Sequence, residues 1–167
     1  MGVEEHKKHA VKNIAFAVVV VSDTRNEEND ESGKLMKRMI EESGNRVGWY
    51  GIVKNEKEDI KRIAEKLLSD EQIDAIIFSG GTGISSRDVT VDTIQPLMDK
   101  ILPGFGEMFR YLSMKEIGSA AIMSRAMAGI KNKKALFSLP GSKNAVRVAM
   151  KEIILKECGH ILWEARK

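Results

Sequence analysis

Cysteine occurs once among the 167 residues, at Cys158, so no disulfide can close within the chain. The expectation is a reducing compartment, the cytoplasm, with Cys158 an inert thiol near a helix end. Long apolar runs are missing too. The longest, Ile14 to Val21, has about the length of a strand and falls far short of the ~20 residues of a membrane span. No excess of one charge exists either: 27 basic and 24 acidic residues are mixed along the sequence for a net +3. That leaves no clustered basic face, and neither nucleic acid nor a membrane is expected as a partner. Histidine is scarce, and His6, His9 and His160 lie near the termini without metal-ligand spacing, which reads as a solvated role. No Ser-His-Asp or Cys-His arrangement can be assembled.

The length suits one domain with a full core. The polar, charged segment 1–12 lacks the apolar core of a secretory signal and is expected to be a mobile arm ahead of a single domain, 13–167. Strand-like runs alternate with helical ones. Ile14 to Val21, Val47 to Val53, Ile73 to Ser79 and Ala135 to Ser138 read as strands, with Ala120 to Met123 a short one. A helix capped by Ser32 carries Leu35, Met36, Met39 and Ile40 at helical spacing and ends before Gly44. Asn55 is the N-cap expected for a second, with Ile60, Ile63, Ala64, Leu67 and Leu68 on one face. Val91 to Leu102 reads as a helix despite Pro96; Pro103-Gly104-Phe105-Gly106 breaks the chain before a helix from Glu107 to Ile117, and Ser142 caps one over Ala145 to Glu157. This alternation predicts an α/β fold with a mainly parallel sheet covered on both faces.

Three glycines follow the third strand directly, in Gly80-Gly81-Thr82-Gly83-Ile84-Ser85-Ser86-Arg87-Asp88. No Gly-Lys-Ser/Thr completes a phosphate loop, and Ser86 stands where a dinucleotide fingerprint needs its third glycine. Glycines at a strand-to-helix turn can serve steric needs alone. Yet Thr82, Ser85, Ser86 and Arg87 add converging donors for an anion, and Asp88 beside a phosphate cradle makes sense with a metal ion or a proton transfer. Ser22-Asp23-Thr24-Arg25 and Leu139-Pro140-Gly141-Ser142 also follow strands, and parallel strands would deliver all three loops to one crevice. Glu107 with Arg110 fits a surface ion pair, and Ser124-Arg125-Ala126 stays ambiguous.

Together, Gly80-Gly81-Thr82-Gly83, Arg87-Asp88-Val89-Thr90, Pro103-Gly104-Phe105-Gly106-Glu107, Ser124-Arg125-Ala126 and Leu139-Pro140-Gly141-Ser142 resemble the molybdenum cofactor biosynthesis family that includes MoaB and MogA, over about residues 13 to 163. The resemblance implies a three-layer α/β/α sandwich assembled as homotrimers or hexamers. It implies adenylylation of molybdopterin by Mg²⁺ and ATP ahead of molybdenum or tungsten insertion. Carried over by motif, Ser22, Asp23, Gly80, Gly81, Thr82, Gly83, Ser85, Arg87, Glu107, Ser124, Pro140, Gly141 and Ser142 would contact pterin or phosphates. Asp88 would be the principal catalytic carboxylate and metal ligand, with Asn55 and Glu56 beside it. The family has a Pro-Asp-Asp-like segment after the second strand; here Val53-Lys54-Asn55-Glu56 stands there, and Asn55 carries no charge. A molybdopterin-binding module without transfer activity is therefore the alternative. Phe105, Met108, Phe109 and Leu112 are the apolar surface candidates for self-association.

Overall fold

The computed structural model describes residues 2–167, with the backbone alone for Val3 and His6, so the reading of the His6 side chain lies outside the described residues. Six strands form one sheet in the order β2-β1-β3-β6-β5-β4: β1 (Ala15–Val21), β2 (Arg46–Val53), β3 (Ala75–Ser79), β4 (Lys100–Ile101), β5 (Met127–Lys131) and β6 (Lys134–Leu139). The first four in this spatial order run parallel, while β5 pairs antiparallel with both β6 and β4.

Alternation along the central strands makes the layers. Phe16, Val18 and Val20 of β1, Ala75 and Ile77 of β3, and Ala135, Phe137 and Leu139 of β6 face one core. Ala17, Val19 and Val21, Ile76 and Phe78, and Leu136 face the other. Covered on both sides, these strands read as unbroken apolar runs. Helices α2 (Glu31–Glu42) and α5 (Pro103–Ile117) lie on the first face with α6 (Lys143–Ala149) and α7 (Leu155–Ala165), which a π-helical turn at Met150–Ile154 joins. The second face is closed by α3 (Lys57–Ser69) and the short α4 (Thr90–Ile94). The result is the expected three-layer sandwich.

The N-terminal segment carries α1 (Val3–Lys8), and beyond it the Val11 amide donates to Gly159 O while His9 stacks on Trp163 at 5.3 Å. Several local expectations give way. Ala120 to Met123 is part of a 3-10 segment, Gly118–Met123, not a strand. The helix expected from Val91 to Leu102 stops at α4 and one 3-10 turn over Gln95–Leu97 before β4. Pro103 starts α5 instead of breaking the chain ahead of it, as its fixed φ allows in a first turn. Asp30, not Ser32, caps α2 by accepting from the Gly33 amide, and Asn55 does not cap α3. Ser142 does cap α6, accepting from the Ala145 amide. Phe105 and Phe109 are core residues at 6% and 1% exposure. Among the described residues no helix is long and apolar enough to cross a membrane.

Candidate functional site

The carboxyl ends of β1, β3 and β6 lie side by side, and direct bonds knit their loops. Arg25 Nη2 and Ser32 Oγ, from the β1–α2 segment, both donate to Gly141 O at 2.8 Å. The Gly80 amide donates to Leu139 O at 2.9 Å, joining the glycine loop to the same turn. Gly80 and Gly81 have φ of +111° and +69°, and a Cβ on Gly80 would meet the Val21 carbonyl inside van der Waals contact. No other residue type gives both this backbone and this close approach.

A cavity of about 410 Å³ opens between these loops and α5. Gly81, Thr82, Gly83 and Asp88 line it from the glycine loop, and Pro140, Gly141, Ser142 and Asn144 from the β6–α6 turn. Phe109, Ser113 and Ile117 of α5, with Ala121, Met123 and Ser124, supply a mostly apolar wall. Asp88 is the only acidic residue of this lining. Its Oδ2 accepts from the Ser85 amide at 3.0 Å and the Ser85 hydroxyl at 2.7 Å. Partial burial pushes the Asp88 carboxyl upward, but the Ser85 bonds, the Gly83 amide and the Arg125 charge outweigh it, and its pKa lies below the ordinary value. The site therefore presents one ionised carboxylate among amides and hydroxyls.

Of the residues singled out by sequence, Gly81, Thr82, Gly83, Asp88, Ser124, Pro140, Gly141 and Ser142 meet in this lining. Gly80 and Ser85 lie behind it as supports. Ser22 folds its hydroxyl back to accept from the amides of Thr24 and Arg25, an ordinary turn. Asp23, Asn55, Glu56 and Arg87 form a separate surface cluster outside the lining. Arg87 donates to Asp23 at 2.6 Å and pairs with Glu56 at 3.6 Å, so the guanidinium expected to face an anion is engaged by two carboxylates. The Asn55 amide and the Arg87 side chain, in that order, hold the Asp23 carboxyl below its usual range. Asn55 Nδ2 donates to Arg87 O at 2.5 Å, clamping the back of the glycine loop. Glu107 lines a different depression, and Arg110 donates to Ser124 O and Ala126 O at 3.2 and 3.1 Å instead of pairing with Glu107.

Sequence reasoning gave no site role to Asn144, Ser113 or Phe109 in the lining, while Arg25 and Arg125, which lie outside it, were named only within the motifs Ser22-Asp23-Thr24-Arg25 and Ser124-Arg125-Ala126. Asn144 and Arg125 were legible only as neighbours of Ser142 and Ser124. Among the described residues no cluster of three or more His, Cys, Asp or Glu could cage a metal ion. One carboxylate suits an ion such as Mg²⁺ that arrives on substrate phosphates, not one held by protein ligands alone.

Residues 17–160 match the MoCF_biosynth family, described as a probable molybdopterin binding domain. The chain is 51% identical to molybdenum cofactor biosynthesis protein B of Bacillus subtilis (strain 168), over 100% of this chain and 99% of that protein. A crystal structure of a molybdenum cofactor biosynthesis protein B superposes with a TM-score of 0.90 at 45% identity, covering 93% of this chain and 97% of the other. The tungsten cofactor synthesizing protein MoaB from Pyrococcus furiosus gives 0.86 at 38% identity, covering 95% of this chain and 100% of the other. The chain belongs to the molybdopterin-binding-domain family of molybdenum cofactor biosynthesis proteins.

Proposed function

We propose that this protein is a molybdopterin adenylyltransferase, acting ahead of molybdenum or tungsten insertion. A phosphate oxygen of molybdopterin forms a bond to the α-phosphorus of ATP. The bond from that phosphorus to the α–β bridging oxygen breaks, and pyrophosphate leaves. The observation that carries this reading is a single ionised carboxylate, Asp88, set in a cavity otherwise lined by glycine backbone, hydroxyls and an apolar wall.

Each part has a task that these residues can perform. Gly81 to Gly83 let phosphate oxygens approach the main chain, and Ser142 and Asn144 offer polar side chains from the facing turn. Ile117 and Met123, each about half exposed, give a flat heterocycle an apolar surface and exclude water from the reacting centre. Asp88 would hold Mg²⁺ brought in on the triphosphate; when bound, the ion neutralises charge on the phosphate oxygens and aligns the leaving group. With little covalent chemistry for the protein to perform, positioning supplies most of the rate.

Asn55 favours a second reading, a molybdopterin-binding protein without transfer activity. Its neutral side chain points to Arg87 O, so this position adds no second carboxylate to the cavity. Release of pyrophosphate that requires molybdopterin, ATP and Mg²⁺ together supports the transferase. Molybdopterin binding with no pyrophosphate release supports the binding protein.

Self-association as a homotrimer or hexamer belongs to the same proposal. Met108, Tyr111, Met114, Ile117, Ile122 and Met123 are large, apolar and about half exposed or more, the highest being Ile122 at 81%. They lie along α5 and the 3-10 segment after it, a patch suited to a copy of the same surface. The cytoplasm, where ATP is plentiful, is the proposed compartment.

A further inference from the structure

Arg125 grips the glycine loop from outside it, yet it does not line the cavity. Its Nε donates to Gly83 O and its Nη2 to Asp88 O, both at 2.8 Å. Its own amide donates to Thr82 O at 2.9 Å. Both ends of the turn that carries Asp88 are thus fixed by one residue. The guanidinium is aimed in turn by Asp92, whose two carboxylate oxygens each accept from it at 2.9 Å. Arg110 secures the segment from the other side, donating to the carbonyls of Ser124 and Ala126 that flank Arg125. A lysine has neither the planar fork nor the number of donors to span two carbonyls and a carboxylate at once.

We propose that Arg125 is a positioning residue, which sets the Asp88 carboxylate toward the cavity by gripping the carbonyls of Gly83 and Asp88. The inference deepens the adenylyl-transfer reading and rests on it for its effect on rate. A planar guanidinium bonded at four points costs little reorganisation during turnover, whereas a loop free to shift by an ångström loses on the order of 10²-fold in rate. Contact with substrate is not required of Arg125, so its loss should fall on kcat and leave KM for molybdopterin near the wild-type value.

The test compares the wild type, Arg125→Lys, Asp88→Asn and the double variant in pyrophosphate release, with amide hydrogen exchange across residues 82–88. Arg125→Lys should lower kcat on the order of 10²-fold with KM within about twofold, and exchange should quicken in 82–88 and not in β1 or β3. In the Asp88→Asn background the same change should cost little more, because the two residues act as one unit. Undiminished kcat, or full additivity in the double variant, would overturn the inference. Should Arg125→Lys prove too unstable to assay, Asp92→Asn loosens the same guanidinium from outside the loop, and must quicken exchange at 82–88. If the wild type releases no pyrophosphate, adenylyl transfer fails; localised exchange would then still support the grip of Arg125, and unchanged exchange would refute it.

Discussion

Replacing Asp88 by asparagine removes a charge and little else. The carboxylate accepts from the Ser85 amide and hydroxyl through one oxygen, Oδ2. An asparagine side-chain oxygen can take both bonds, so the neutral pair replaces a charge-assisted one at a cost of about 1 kcal/mol or less. Folding should survive. If the charge anchors the ion on the triphosphate, turnover should fall about 10²-fold or more, or ~3 kcal/mol of transition-state stabilisation. Molybdopterin affinity should hold, since the glycine backbone and Ser142 are assigned to it. The pH dependence adds a check. The folded carboxyl has a pKa below its ordinary value of 3.8, so its contribution to stability is complete above 3.8 and is lost as pH falls through the lower folded value. Wild type and variant should therefore differ in melting temperature near neutrality and converge in strong acid. Turnover, molybdopterin affinity and melting would be measured on one purified preparation. Near-normal turnover refutes the catalytic role, and a collapse in melting temperature makes Asp88 a turn cap.

Three further outcomes are expected. Gly80→Ala should destabilise by about 3 kcal/mol or more, because a φ of +111° and the Val21 carbonyl both oppose a Cβ; an unchanged denaturant midpoint would contradict this. Asn55→Asp should lower stability by about 1–3 kcal/mol without raising turnover, since it sets a carboxylate oxygen against the Arg87 carbonyl that now accepts from Nδ2; melting and turnover equal to wild type would show that the clamp is dispensable. Wild type should sediment at micromolar concentration as the proposed oligomer, and Ile122→Asp, with its circular dichroism spectrum intact, as single chains, given the 81% exposure of Ile122; equal sedimentation of the two would contradict an interface at this residue.

What was legible in the sequence was whatever rests on local pattern. The apolar runs of β1, β3 and β6 and the helical stripes of α2 and α3 each specify their own burial. The strand β5 was not legible because Gly129 interrupts its apolar pattern. That glycine makes room for Met98 and the Lys100 carbonyl, which come from the neighbouring β4 connection. Nor does the turn between β5 and β6 carry a glycine signal, since Asn132 and Lys133 adopt left-handed φ of 51° and 61°. Ala120 to Met123 reads as apolar, but it lies in a 3-10 segment with Ile122 exposed to 81%.

The site divides the same way. The glycines, Asp88 and Ser142 act through features a sequence displays. Arg87, Asn55 and Arg125 act through partners 31 to 64 residues away, two of them main-chain carbonyls gripped by Arg125, which leave no mark in sequence. Charge alone pointed Arg87 at the anion, and Asp23 and Glu56 reach it first.

The most direct measurement follows the α-phosphate of ATP. With purified protein, Mg²⁺ and molybdopterin, label placed at the α position should appear in the pterin product, and label at the γ position should leave as pyrophosphate. Label that remains in ATP while molybdopterin stays bound would contradict adenylyl transfer and leave a binding protein.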